Sequence, residues 1–282
     1  MRIDDAIEWA KFLLVSSDSA LLDAQILLAH VLEKETVYLM TWPERDISAE
    51  QKQAFESLVE QRINGVPVAY LTGTREFWSL PLKVNDSTLI PRPDTEVLVE
   101  TALSYCKPQS RILDLGTGSG AIILALASER PKTNCFAVDF NKEAVKLAQE
   151  NSDSLNINNV TFLQSDWFEN VQGCFDVIVS NPPYIDENDK HLNEGDVRFE
   201  PSSALVAGEC GLADIRLIAM QARGYLSDNG CLLIEHGFEQ GESVREILLA
   251  LEYDNVKTIK DYGDNERVTL AIHHQAANKE NI

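Results

Sequence analysis

The sequence predicts an α/β protein: a mainly parallel sheet covered by helices on both faces, with an antiparallel strand pair at its end. A small all-α domain and a β-hairpin precede it. Three observations carry this. From residue 110 onward, short apolar runs alternate with segments of helical period, which builds a parallel sheet. The last two runs are separated only by Gly263-Asp264-Asn265, a link too short for anything but an antiparallel pair. Residues 1 to about 70 hold apolar stripes of helical period alone.

Taken in order, Ile7 and Leu14 belong to a first stripe after Asp4 and Asp5, and a second stripe runs over 21–32. Ser48 with Gln51 three residues on reads as a capping box. Phe55, Leu58, Val59 and Arg62 then share one helix face, which Gly65 and Pro67 end. Over 74–90 the period changes: Phe77, Leu80, Leu82 and Val84 sit among turn formers and predict a hairpin. Pro91-Arg92-Pro93-Asp94 punctuates the chain, and a helix follows over 94–105. Seven strands are then expected, over 111–115, 135–140, 160–163, 175–180, 231–235, 256–261 and 267–273. Helices are expected over 121–129, 142–151, 212–226 and 241–251. The expected domains are a helical bundle over 1–72, a hairpin linker over 73–90, a catalytic domain over 91–274 and a flexible tail over 275–282.

The 282 residues suffice for one large domain and one small one. The net charge is -21, from 24 Lys and Arg against 45 Asp and Glu, and no basic run interrupts it. Tight binding to nucleic acid needs cations that displace counterions, so direct nucleic-acid binding is not expected. The five cysteines, Cys106, Cys135, Cys174, Cys210 and Cys231, have neither CxxC spacing nor an even count. That argues for reduced thiols in a cytoplasmic protein and against a disulfide framework or a zinc site. No other set of ligands has metal spacing. The N-terminus lacks the layout of a secretion signal. No apolar run approaches the roughly 20 residues of a membrane span.

The segment Asp114-Leu115-Gly116-Thr117-Gly118-Ser119-Gly120 ends the first strand of the sheet and opens a helix. Its glycines allow a tight turn and close approach of a ligand to backbone, and the helix start offers free N–H groups. Gly116-x-Gly118-x-x-Ala121 also fits a dinucleotide fingerprint. Asp139, at the end of the next strand, is placed for ribose hydroxyls under either reading, while Asp114 could equally cap nearby amides. Asp166 and Trp167 follow the third strand. A carboxylate beside an indole suits adenine, one accepting from the exocyclic amine and the other packing on the ring.

The deciding stretch is Asn181-Pro182-Pro183-Tyr184, at the end of the fourth strand. A hydride-transfer enzyme has no use for it. An amide nitrogen is a poor nucleophile because its lone pair is delocalised into the carbonyl. The Asn181 oxygen can accept one N–H and the Pro182 carbonyl the other, which turns the lone pair towards an electrophilic methyl. The prolines hold that backbone at low entropic cost, and Tyr184 offers a face for the planar group. An exocyclic amine on a nucleic-acid base would need the same grip, together with base extrusion and a basic surface. A binding module that has lost its chemistry would not need Asn181. His236 reads as a packing or capping residue.

In these residues the chain resembles the release-factor glutamine methyltransferases, the HemK or PrmC type. The resemblance covers nearly the whole chain. It includes Leu89-Ile90-Pro91-Arg92-Pro93-Asp94-Thr95-Glu96, the glycine loop, Asn181-Pro182-Pro183-Tyr184-Ile185, Phe199-Glu200-Pro201 and Glu235-His236-Gly237. It ends with Asp261-Tyr262-Gly263-Asp264-Asn265-Glu266-Arg267. It implies a seven-stranded, Rossmann-like methyltransferase sheet and an N-terminal domain that docks the substrate protein. It implies S-adenosylmethionine as cofactor, leaving as S-adenosylhomocysteine. The implied reaction puts one methyl on the glutamine amide of a Gly-Gly-Gln loop in class 1 peptide-chain release factors. Gly116, Thr117, Gly118, Ser119, Gly120, Asp139, Asp166, Trp167 and Asn181 would bind the cofactor. Asn181, Pro182, Pro183 and Tyr184 would hold the glutamine, with Asn181, Pro182 and Tyr184 carrying the catalysis. A monomer is expected. Arg92 and Glu96 take no role from these considerations.

Overall fold

The computed structural model describes residues 1–193 and 195–274. The flexible tail expected for 275–282 lies outside the described residues. The chain divides into two compact units, one of residues 1–74 with 190–199 and one of residues 75–189 with 200–282.

The first unit is helical, with helices Ile3–Leu13, Ala20–Leu32, Thr36–Thr41, Ala49–Ile63 and Val68–Thr72. Ile3, Leu27, Leu28, Leu39, Phe55 and Val59 are at most 1% exposed and form its core. The capping box is present: Gln51 N donates to Ser48 Oγ at 3.2 Å, and Ser48 N donates to Gln51 Oε1 at 2.8 Å. The helix Ala20–Leu32 is phased differently from the expected stripe. Leu21 and Leu22 are exposed, and Asp23 is buried. Asp23 tolerates burial because Ser17 Oγ, Ser19 Oγ and Arg62 Nε each donate to it at 2.8 Å. Arg62 Nη1 also donates to Asp196 Oδ1 at 2.8 Å, tying the short 190–199 segment to the same unit.

The second unit contains all but the first residue of a hairpin, Thr74–Phe77 with Leu80–Lys83, and the seven-stranded sheet. The sheet strands are β1 (Arg111–Leu115), β2 (Asn134–Asp139), β3 (Val160–Gln164), β4 (Phe175–Ser180), β5 (Leu226–Glu235), β6 (Asp254–Lys260) and β7 (Glu266–His273). Their spatial order is β6-β7-β5-β4-β1-β2-β3. β7 runs antiparallel to both its neighbours, and the other pairings are parallel.

Alternate strand residues feed two cores, as the period of two requires. Ile112, Val177, Val179 and Leu233 pack with helices Glu96–Leu103 and Ala121–Glu129 on one face. Leu113, Ile178, Leu232 and Ile234 pack with helices Ala213–Ala222 and Gly241–Ala250 on the other. The chain leaves β1 outward through β2 and β3, then returns to β4 on the opposite side of β1. That reversal opens a crevice at the carboxyl ends of β1 and β4, where open α/β sheets bind ligands. None of the described helices is long and apolar enough to cross a membrane.

Candidate active site

The crevice holds a cavity of about 270 Å³, near the roughly 300 Å³ lower end of ligand pockets. Its floor is the glycine loop after β1. Gly116 and Thr117 both donate to the Val138 carbonyl at 2.9 Å, and Gly118 donates to Asp139 Oδ2 at 2.9 Å. The loop is therefore tied to the end of β2. Gly116 has φ 72° and Gly118 φ 55°, conformations that cost L side chains free energy. A side chain on Gly118 would find no atom nearer than Thr88 Cβ at 3.9 Å, so this backbone lies open to a ligand.

Asp139 uses Oδ1 as well, accepting from Asn141 N at 2.8 Å. Burial raises its pKa, and the two backbone donors oppose that rise. Each oxygen keeps a lone pair for a hydroxyl in the cavity. The Trp167 ring covers Gly116, with Cζ3 3.5 Å from where a Cβ would stand. Asp166 and Asp214 line the cavity beside it. Burial pushes the Asp214 carboxyl up and the charge of Asp166 adds to this, against a hydrogen bond from Trp167. Asp114, behind the loop, is fully buried and pushed up to about 7 by desolvation, although Thr117 Oγ1 donates to it at 2.6 Å.

Asn181 enters the cavity at the end of β4, and its Nδ2 donates to Thr95 Oγ1 at 3.3 Å. Of the residues expected at the site, Gly116, Thr117, Gly118, Ser119, Asp139, Asp166, Trp167, Asn181 and Pro183 line one cavity. Gly120, Pro182 and Tyr184 are not part of its lining. Gly120 has φ 84° and lies where a Cβ would meet Leu124 Cδ1 at 3.0 Å and Ala148 Cβ at 3.1 Å, so it serves helix packing. Pro182 is buried. Tyr184 is half-buried; its hydroxyl reaches Glu235 Oε1 at 3.5 Å, and its carbonyl accepts from Gln240 Nε2 at 3.0 Å. Burial raises the Tyr184 pKa well above the usual phenol range.

Several site residues escape sequence reasoning. Arg92 lines the cavity and donates to Glu200 Oε2 at 2.6 Å, and Glu200 Oε1 accepts from Ile90 N at 3.1 Å. Thr95, Ser203, Ala204 and Asp214 also line it. The sequence signal for Arg92 and Thr95 was the stretch Leu89-Ile90-Pro91-Arg92-Pro93-Asp94-Thr95-Glu96, which the resemblance covers without giving either a role. Glu96 works outside the cavity, accepting from Trp78 N at 2.9 Å and so holding the hairpin turn. Glu235, 1% exposed at the end of β5, is pushed up to about 7 by burial. The Thr95 hydroxyl and Arg267 oppose that rise, and Asp94 adds to it. Arg267 is itself engaged, donating to Asp261 Oδ2 from Nε at 3.1 Å and from Nη2 at 3.0 Å. His236 is fully buried, with Nδ1 2.9 Å from the Gly237 carbonyl and Nε2 2.8 Å from Thr269 Oγ1, a packing role. Among the described residues no group of three or more His, Cys, Asp or Glu could hold a metal ion.

Arg92 is the only basic side chain among the described residues lining the cavity, and Glu200 holds it. Asp139, Asp166 and Asp214 are its acids. Such a site suits a ligand rich in hydroxyl and amino donors and carrying positive charge. It opposes a pyrophosphate.

Comparison with known proteins shows the family. A family described as the PrmC N-terminal domain matches residues 5–73, and a methyltransferase domain family matches residues 107–272. A protein of Shewanella oneidensis named release factor glutamine methyltransferase is 54% identical over 271 residues, covering 95% of each chain. One of the same name from Escherichia coli is 54% identical over 264 residues, covering 93% of this chain and 95% of its own. A Yersinia pestis relative, again so named, is 56% identical over 255 residues, covering 90% and 92%. Among solved structures, a methyltransferase from Pyrococcus furiosus superposes with a TM-score of 0.54 at 20% identity. It covers 70% of this chain and 90% of its own, a likeness of fold alone.

Proposed function

Because the chain belongs to the release factor glutamine methyltransferase family, we propose that its cavity binds S-adenosylmethionine and that Asn181 presents a release-factor glutamine amide to the methyl group. The observation that carries this reading is the acid-lined, cation-poor cavity with Asn181 in its wall. S-adenosylmethionine, when bound, supplies a methyl carbon made electrophilic by a sulfonium.

The residues fit that cofactor. Asp139 would hold the ribose hydroxyls, while Asp166 and the Trp167 ring would hold the adenine. The backbone of Gly116 to Ser119 would take the amino-acid end. At the other wall stands Asn181; its Oδ1 and the carbonyl of the next residue, Pro182, would each accept one N–H of the glutamine amide. That grip aims the nitrogen lone pair at the methyl and offsets the positive charge that grows on nitrogen as the bond forms. No strong base is required, because the N–H becomes acidic only during transfer. The Tyr184 hydroxyl is committed to Glu235, so its ring face is the part left to flank the substrate. Pro183 also lines the cavity.

The substrate is the glutamine of a Gly-Gly-Gln loop in class 1 peptide-chain release factors. The helical unit docks that protein, and the enzyme acts as a cytoplasmic monomer without binding nucleic acid. The test is mass spectrometry of a class 1 release factor after incubation with the enzyme and S-adenosylmethionine. One added methyl on the Gly-Gly-Gln glutamine is expected. Asn181→Ala should lower turnover at least about a hundredfold, the scale for losing a transition-state acceptor, while cofactor affinity changes far less. A release factor left unmodified while DNA or RNA takes up the methyl refutes the substrate. Equal, small losses in turnover and affinity refute the role of Asn181.

A further inference from the structure

We propose that Gln240 is a positioning residue for Tyr184: it pins the backbone that sets the Tyr184 ring beside the substrate amide. The inference rests on the role given to Tyr184 above. The Tyr184 hydroxyl is 3.5 Å from Glu235 Oε1, a long contact that holds the ring loosely at that end. A ring that must flank a planar group therefore needs its other end fixed.

That other end is the peptide unit between Tyr184 and Ile185, and both its polar groups are tied. Its N–H, from Ile185, donates to the Leu205 carbonyl at 2.9 Å. Its carbonyl, from Tyr184, accepts from Gln240 Nε2 at 3.0 Å. A peptide unit is planar, so the two bonds together fix its orientation. At the near end of the segment, Ser180 is paired in the sheet with Leu115 and Ile234. Between these anchors the rings of Pro182 and Pro183 fix φ at two of the four residues. Where the Tyr184 ring stands then follows from where Gln240 holds its carbonyl.

Gln240 is half-buried, just before helix Gly241–Ala250, and backbone groups use its whole side-chain amide. Oε1 accepts from Gly237 N at 2.8 Å. Nε2 donates to the Tyr184 carbonyl and, at 3.1 Å, to the Cys210 carbonyl. These partners decide which end is which. Turned over, the amide would set its NH2 against an N–H and its oxygen against two carbonyls. A glutamine that served only the turn before its own helix would need the Gly237 bond alone. Gly211 marks how closely the segments meet. It has φ 81°, and a Cβ there would run into the Tyr184 carbonyl and stand 2.7 Å from Gln240 Nε2. Glycine lets this backbone come so near.

The experiment compares wild type, Gln240→Met, Gln240→Glu, Tyr184→Ala and the Gln240→Met/Tyr184→Ala double variant on an intact release factor. It measures turnover, S-adenosylmethionine affinity by calorimetry, and Tm. Gln240→Met keeps the length of the side chain and removes all three bonds. Turnover should fall about tenfold or more, the scale for a substrate contact displaced by part of an ångström. Cofactor affinity should stay within about twofold, because neither Gln240 nor Tyr184 is among the described residues lining the cavity. Tm should fall by no more than about 5 °C, as for one or two lost hydrogen bonds. In the Tyr184→Ala background, Gln240→Met should lower turnover no further, since the ring it positions is gone.

Gln240→Glu separates the two bonding partners and covers the case in which Gln240→Met does not fold. A carboxylate still accepts from Gly237 N but has no proton for the Tyr184 carbonyl, so turnover should again fall about tenfold or more with affinity kept. Four results overturn the proposal: full turnover in Gln240→Met, full turnover in Gln240→Glu, a loss of cofactor affinity as large as the loss of turnover, or a Gln240→Met loss undiminished without the Tyr184 ring. If Tyr184→Ala itself turns over at the wild-type rate, the reading of Tyr184 has failed. If Tyr184→Ala is impaired and Gln240→Met is not, this inference alone has failed.

Discussion

Replacing Glu235 by Gln should make the protein more stable at pH 8, relative to wild type, than at pH 5. Glu235 is 1% exposed, and its Oε2 has no hydrogen-bond partner. Burial dominates its surroundings and lifts its pKa from the ordinary 4.5 to about 7, despite Thr95, Arg267 and Tyr184. The unfolded chain releases this proton near the ordinary value, whereas the folded chain keeps it until about 7. Between those two values the folded state binds more protons, so stability falls as pH rises. The fall is complete once pH passes the folded value. A rise of this size corresponds to about 3 kcal/mol. Gln cannot ionise and escapes the loss. The Gln variant should therefore gain about 3 kcal/mol on wild type between pH 5 and pH 8. Asp114, pushed up to about 7 in the same way, titrates in both proteins and cancels from the difference. Urea unfolding at pH 5, 6, 7 and 8, followed by tryptophan fluorescence, measures it. A stability difference that stays flat across that range refutes the reasoning, because Glu235 would then ionise normally in the fold.

Three further outcomes follow from the geometry. Trp167→Ala uncovers Gly116 and removes the indole face, so S-adenosylmethionine affinity should drop at least about tenfold by calorimetry, the scale of one ring stacked on a base; unchanged affinity would remove Trp167 from the site. Gly120→Val places a β-branched side chain at φ 84° against Leu124 and Ala148, so it should cost about 3 kcal/mol in thermal or urea unfolding from strain and overpacking together; a wild-type Tm would contradict the close packing there. Deleting residues 1–72 should weaken capture of an intact release factor while leaving cofactor affinity in place; undiminished capture in a pull-down titration would argue against a docking role.

The parts of this fold written in local pattern could be read directly. Seven strands, the helix starting after Ser48 and the antiparallel end of the sheet each depend on residues close together in sequence. Where partners are distant, the reading failed. β5 begins at Leu226, well before the expected start at 231, because Ser227-Asp228-Asn229-Gly230 looks like a turn. Its register against β4 is irregular, with Leu226 opposite Phe175 and Cys231 opposite Val177. The bond from Ser227 Oγ to Asp176 Oδ1, 2.9 Å, helps hold that detour to the sheet. Asp23 likewise sits where an apolar stripe was expected, because its donors include Arg62, 39 residues away.

The site follows the same rule. The glycine loop and Asn181-Pro182-Pro183-Tyr184 are contiguous and announce themselves. Thr95 is 86 residues from Asn181, and Arg92 is 108 from Glu200, so no spacing connects them. Sequence alone also left the choice between a dinucleotide and S-adenosylmethionine to one tetrapeptide, since the loop and Asp139 serve both.

The structure adds an independent electrostatic reason for that choice. A pyrophosphate at a glycine loop gains from free cations and loses to nearby carboxylates. Here Arg92 is held by Glu200, and Arg267, behind the site, is held by Asp261. Asp139, Asp166 and Asp214 are left facing the cavity. A cationic ligand with hydroxyl and amino donors gains from every one of those acids. The net charge of -21 reinforces the same preference at long range. On the proposed reading the ion pair that holds Arg92 belongs to ligand selection: by occupying the one arginine among the described lining residues, Glu200 would leave the carboxylates to decide what enters.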